Sequence, residues 1–248
     1  MHHVLAGLSF KRTPKAALKT VDKLIQEVEA LRLLHWSYAF RLLRVCQGMQ
    51  IPGHSDTAAI LKHLTAMSTT ADSHRHISML ITVSTVEAMV YLRSGSPDAV
   101  DLARRALASA RTHQLGTEIE SMPQVRTLLD CLDLACSLVS YDAQQTLQKM
   151  TQMHASMDPA TRQSGWSKNG SFAIPMLPST NAELELDTLG IMKTTPDGTT
   201  NLNLRWMTQT GIYVIGYLLS GITYLHKDEE GKAQSFLREV SQRTNDRS

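Results

Sequence analysis

Aromatic residues make up only 5% of this 248-residue chain, and cysteines number three. So few aromatics exclude a single aromatic-rich core and fit many small, interchangeable helix contacts. Three cysteines (Cys46, Cys131, Cys136) form an odd set with no C-x-x-C and no histidine at ligand spacing, so neither a disulfide framework nor a zinc site is indicated. Cys131 and Cys136 fall in the apolar run "LLDCLDLACSLV" (128–139), where reduced cysteine acts as a small hydrophobe; a reducing compartment, cytosol or nucleus, is expected. No run approaches the roughly 18 apolar residues that cross a bilayer, and the start lacks the charged-then-apolar layout of a signal peptide. No membrane partner is expected.

Other signatures are missing too. G-x-x-x-x-G-K-[ST], G-x-G-x-x-G and G-x-S-x-G do not occur, which removes the usual marks of phosphate cradling and of a nucleophile elbow. No cofactor, catalytic or metal-binding residue is expected. The histidines of "HRH" (74–76) would diverge by roughly 100–200° on a helix and could not share one ion, and His54 and His63 lack a third ligand. Asp130 and Asp133, three apart on one helix, read as structural carboxylates facing solvent or a neighbouring arginine such as Arg126.

Charge of one sign is scarce overall, at +2, but it is unevenly spread. Residues 1–50 hold eight Lys/Arg against three Asp/Glu, and Lys11, Arg12, Lys15, Lys19 and Lys23 supply most of that excess. They lack the density and aromatic interleaving of a nucleic-acid platform, which argues against direct nucleic-acid binding.

What the chain does have is 42% hydrophobic residues, twelve Met, and apolar positions recurring at i, i+3, i+4 and i+7. The spacing predicts helices over about 3–11, 14–32, 35–50, 56–70, 74–94, 97–113, 123–140 and 143–157. Pro14, Pro97 and Pro123 suit first turns, and Ser96 and Asp142 are candidate N-caps. Within these helices a small residue is followed by apolar ones four and seven on: Ala17/Val21/Leu24, Thr57/Leu61/Leu64, Ala99/Ala103/Ala106, Ala143/Leu147/Met150 and Ala233/Leu237/Val240. A period of 40 to 44 residues between the first four starts predicts an all-α fold, an α-solenoid of stacked helix hairpins. In "LLSGITYLHKDEEGKAQSFLREV" (218–240), Gly221, Tyr224 and Ala233 give the small/aromatic/small skeleton of a tetratricopeptide repeat, and Ala88, Tyr91, Gly95 and Ala99 repeat it.

The expected organisation is helical repeats over 1–157, an insertion over 158–206, and a last helix hairpin of the same solenoid over 207–248. The insertion has loop composition at first; its second half alternates around Pro196-Asp197-Gly198 and predicts a β-hairpin. In such arrays the first helices line a groove for an extended peptide. The repeat frame sends Arg41, Arg44, Thr85, Met89, Arg93 and Leu218 toward it as partner-binding residues. The rival reading is a ligand- or protein-sensing helical regulatory domain, as in fungal transcription regulators.

The strings "PKAALKTVDKLI" (14–25), "HWSYAFRLLRV" (35–45), "RSGSPDAVDLARRALASARTHQL" (93–115), "WSKNGSFAIP" (166–175) and "IYVIGYLLSGITYLHK" (212–227), in this order, resemble the tetratricopeptide-type subunit of the cohesin loader in its filamentous-fungal form. The resemblance implies a non-enzymatic nuclear scaffold. Such a protein wraps the extended N-terminal segment of the large HEAT-repeat loader subunit and, indirectly, meets cohesin and chromatin. Members of that family look longer, with further repeats before "MHHVLAGLSF", so a fragment, a truncated gene model or a divergent short form is expected.

Overall fold

The computed structural model describes residues 7–52, 56–113, 116–162, 166, 169–177, 188, 190–196, 198–206, 208–225 and 231–245. Residues 7–10 are helical. Then follow α1 (Pro14–Ala30), α2 (Leu34–Gln50), α3 (Thr57–Ser73), α4 (Ile77–Ser94), α5 (Ala99–Arg111), α6 (Thr117–Glu120), α7 (Pro123–Val139) and α8 (Ala143–Arg162). Strands β1 (Ser171–Met176), β2 (Met192–Thr194) and β3 (Thr200–Arg205) come next, then α9 (Gln209–Tyr224) and α10 (Lys232–Asn245). The protein is mostly helical with one small sheet, ordered β1-β3-β2.

Three helix pairs are joined by the same three-residue connector. After α1, α3 and α7 a residue enters the left-handed region, Arg32 (φ 57), Arg75 (φ 56) and Tyr141 (φ 55). The next residue then donates its N–H back across the helix end: Leu33 to Val28 O, His76 to Ala71 O, Asp142 to Ser137 O. This is Schellman closure, which satisfies the last carbonyls and turns the chain back on itself. Accordingly α1 packs on α2, α3 on α4 and α7 on α8.

Compactness divides the chain into Met1–Gly95 with Ala173–Asn203, and Ser96–Phe172 with Leu204–Ser248. In the first unit, Val21, Ile25 and Val28 of α1 cluster with Phe40 of α2, with Leu24, Leu33, Trp36 and Leu43 packed around them. Ile60, Leu64, Met67 and Ala71 form the buried ladder of α3. Helix α4 is largely buried; by length and composition alone it could cross a membrane, an exception to the sequence expectation. More than half of that stretch is buried inside the unit, and Thr82 and Thr85 bond back to Ser78 O and Ile81 O, as in a core helix.

In the second unit, α5 packs Ala99, Ala103, Ala106, Leu107 and Ala110, its buried residues, in the layer beside α7, and α9 rests on α7 and α8. Methionines fill the gaps: Met153 and Met157 of α8 are buried against Gly216 of α9, where an added Cβ would stand 3.1 Å from Met157 Sδ. Hairpin α9–α10 closes at Gly221, whose missing Cβ would lie 3.0 Å from Leu237 Cδ2 and 3.6 Å from Ala233 O.

Several local expectations change. The buried ladder of α3 starts at Ile60, not Thr57, and that of α8 runs Thr146, Met150, Met153, Met157, leaving Ala143 and Leu147 exposed. The small residues of those two helices sit in first turns that reach past the core. Pro14 and Pro123 begin their helices, but Pro97 precedes α5, and Asp98 rather than Ser96 occupies its N-cap position. Asp142 does cap, accepting from Gln145 N at 3.0 Å. Helix α8 continues through Pro159 to Arg162. The expected hairpin forms, Thr194 opposite Thr200 and Met192 opposite Leu202, with Pro196 and Gly198 in its turn. A third strand was hidden in the loop-like half: β1 buries Phe172, Ile174 and Met176 in alternation, and its Pro175 is tolerated on an edge strand.

Candidate partner-binding surface

Helix α2 carries two arginines three residues apart, flanked by two helices that each offer polar groups seven apart: Asp22 and Glu29 of α1, and Asp56 with His63 at and within α3. The antiparallel course of each pair matches them in reverse order. Arg44 bonds Asp22 through Nε at 3.0 Å and grips Asp56 with both terminal nitrogens at 2.6 and 3.1 Å. Arg41 bonds Glu29 at 2.6 and 2.9 Å, and Ser37 donates to the same oxygen. His63 bridges the two sets. Its Nδ1 accepts from Arg41 at 2.9 Å, so the proton sits on Nε2, 3.2 Å from Asp22. Burial, then the Arg41 charge, lowers its pKa and keeps the ring neutral.

This network fixes the helix spacing and leaves its arginines little freedom. Arg44 is 4% exposed and the Arg41 side chain 15%. Thr85 is fully buried, and Met89 is half-buried on the same helix. Arg93 reaches from α4 to the carbonyls of Met49 and Ile51, a cation at the carbonyl end of α2. These five residues belong to the first unit. Leu218 belongs to the second, 41% exposed, with Ile222 one turn on along α9 and Leu225 at its C-cap also exposed. That helix is inverted: its buried residues are Ile212, Gly216, Ser220 and Gly221, while larger apolar side chains face outward.

Two clusters had no counterpart in the sequence reading. His76, at the N-cap position of α4, is 4% exposed, shares a hydrogen bond between its Nδ1 and the Tyr38 hydroxyl at 3.1 Å, and has its pKa lowered to about 4 by burial and by His35 and His74. His74 and His76 do not diverge as on a helix; the left-handed Arg75 between them lets their rings stack at 5.7 Å, with His74 Nδ1 on Thr70 O. In the second unit, Tyr213, Tyr217, Phe236 and Tyr224 form a ladder of ring contacts at 5.8–6.0 Å, with Arg243 over Tyr213 at 4.7 Å. The signal was present, tyrosines four apart on one helix and a cation on the next.

Asp130 and Asp133 pair with cations from neighbouring helices: Arg111 lies 3.5 and 2.7 Å away, and Lys149 is 2.7 Å from Asp133. Ser156 donates to Asp130, whose pKa burial nonetheless raises. Cys131 and Cys136 are buried thiols, pushed up to about 12 and about 11. Among the described residues no group of three or more His, Cys, Asp or Glu is placed to hold a metal.

Helix hairpins closed by one recurring connector, with polar groups committed to holding helices together, define a mostly helical protein whose offered features are faces. The chain belongs to the cohesin loading factor family, whose sequence model matches residues 1–248, and this ties it to cohesin loading. No curated protein and no solved structure matches the chain.

Proposed function

We propose that this chain is a non-enzymatic, nuclear scaffold of the cohesin-loading complex. In this reading it is an α-solenoid of tetratricopeptide-like hairpins that holds an extended N-terminal segment of the large HEAT-repeat loader subunit. Through that subunit it meets cohesin and chromatin and supports sister-chromatid cohesion. The observation that carries the reading is the connector repeated at Arg32, Arg75 and Tyr141. Hairpins built to one plan present similar contacts once per unit, which suits an extended peptide with affinity spread over many weak contacts.

Of the six partner-binding residues, Leu218, Met89 and Arg41 make contact, each by its exposed part. Arg44, Thr85 and Arg93, tied into the fold, set the spacing behind them. The test is capture of the large subunit's N-terminal segment by the purified full chain. Met89→Glu with Leu218→Asp is expected to weaken capture by about tenfold or more, the loss of one good apolar contact, with the helical circular dichroism unchanged. Absence of capture by the unmodified chain at any ionic strength refutes the proposal.

A further inference from the structure

At one end of the first unit lies an open cleft of about 630 Å³ between residue Phe10, the start of α1 and the end of α2. Phe10, Pro14, Ile51 and Pro52 give it an apolar lining, with Lys15 and Gln50 at its edge. The size is that of a site for several side chains. Lys11 and Arg12 stand in the turn before Pro14, and Lys19 follows Lys15 one helical turn on; all four cations are exposed. Among the described residues none of them makes an ion pair, and the first acid in the chain, Asp22, is taken by Arg44 and His63. Helix α1 has no acid in its first turn, so its N-terminal dipole adds to the same positive field.

We propose that this cleft is a docking site for an acidic, apolar peptide segment of another protein. Large apolar side chains of the segment enter between Phe10, Pro14, Ile51 and Pro52, and its carboxylates meet Lys11, Arg12, Lys15 and Lys19. Charge complementarity selects the acids and the apolar lining selects the side chains between them. A nucleic acid would satisfy the cations but leave that lining wet, which is why a peptide fits better. None of its lining residues is among the six proposed for the loader-subunit surface, although Arg93 of that set holds the Ile51 carbonyl.

The probe is a fluorescein-labelled twelve-residue peptide of repeating Glu-Leu-Asp-Phe, titrated with the full chain by fluorescence anisotropy. Its controls are the same peptide with Leu and Phe replaced by Ser, the same with the acids replaced by Lys, and a short duplex DNA. The first peptide is expected to bind with a dissociation constant on the order of 10–100 µM, as suits a small interface, and the two altered peptides at least about tenfold more weakly. Lys15→Glu should weaken the first peptide by about tenfold while keeping the fold, because an acid in a first helical turn favours the helix. It should leave capture of the large-subunit segment unchanged. Equal binding of the Ser-substituted peptide, tighter binding of the DNA, indifference to Lys15→Glu, or loss of large-subunit capture in that variant each overturns the assignment.

Discussion

Arg44 meets both carboxylate oxygens of Asp56, at 2.6 and 3.1 Å, while only 4% of the residue is exposed. Its removal strands a shielded carboxylate and takes from Asp22 its partner on helix α2, while the Arg41 contact to His63 stays. Arg44→Met is expected to cost roughly 2–4 kcal/mol, discounted from the fully buried case because Asp22 is partly exposed. Gly48→Ala tests the same spot sterically, since its Cβ would fall 2.9 Å from Ile60 Cγ1 and 3.0 Å from Arg44 Nη1. Overpacking there should cost about 1–3 kcal/mol. Urea unfolding of both variants measures these losses; stabilities equal to the unmodified chain would contradict the network's role.

The connector residues make the opposite prediction. Arg32, Arg75 and Tyr141 hold left-handed backbone that side chains with a Cβ adopt at a cost. Replacing each by glycine relieves that strain but adds freedom to the unfolded chain, leaving a net gain of about 0.5–1 kcal/mol per site. Thermal unfolding should show each single variant melting higher and the triple variant higher still. A fall in melting temperature would mean the side chains contribute more than their backbone costs.

Acid sensitivity follows from His76. Its folded pKa of about 4 lies below the unfolded value of 6.5, so between these the unfolded chain binds more protons and stability falls as pH drops. The contribution is complete above pH 6.5 and gone near pH 4, and amounts to at most about 3 kcal/mol. His63 and His154, also lowered by burial, act in the same direction. His76→Phe should flatten the stability difference between pH 5 and pH 7.5 without abolishing it, as read by urea unfolding at the two pH values.

Thiol chemistry should separate the three cysteines. Burial pushes up all three thiols, Cys131 and Cys136 to about 12 and about 11, but Cys46 alone of the three is an exposed residue that a reagent can reach. Iodoacetamide at pH 8 should therefore label Cys46 first in the folded chain and reach the other two only in denaturant, by mass spectrometry of the digested protein. Early labelling of Cys131 would mean that α7 and α8 separate easily.

Helices were legible wherever apolar periodicity was strong: α1, α2 and α7 begin and end close to where the spacing puts them. Register was less so. Thr57 and Ala143 resemble the small residues of a packed interface, yet first-turn positions overhang the core, and only the neighbours buried around Ile60 and Thr146 reveal this. The connectors were hidden because αL positions are usually marked by glycine, and here Arg, Arg and Tyr occupy them. β1 was masked by its flanking Gly170 and its own Pro175. Among the proposed partner-binding residues, sequence spacing showed which helix face Arg41 and Arg44 share. It did not show that Glu29, Asp22, Asp56 and His63 converge on them from two other helices, a matter of tertiary register.

Three-residue connectors also bear on how the chain is made. Each links helices that touch within some forty residues of sequence, so little loop-closure entropy stands in the way and a pair closes early, before distant partners exist. Arg93, bonding to residues more than forty positions upstream, must wait for α4 to be synthesised. During synthesis the first pair can therefore fold as it leaves the ribosome, and the clasp on its trailing end arrives afterwards.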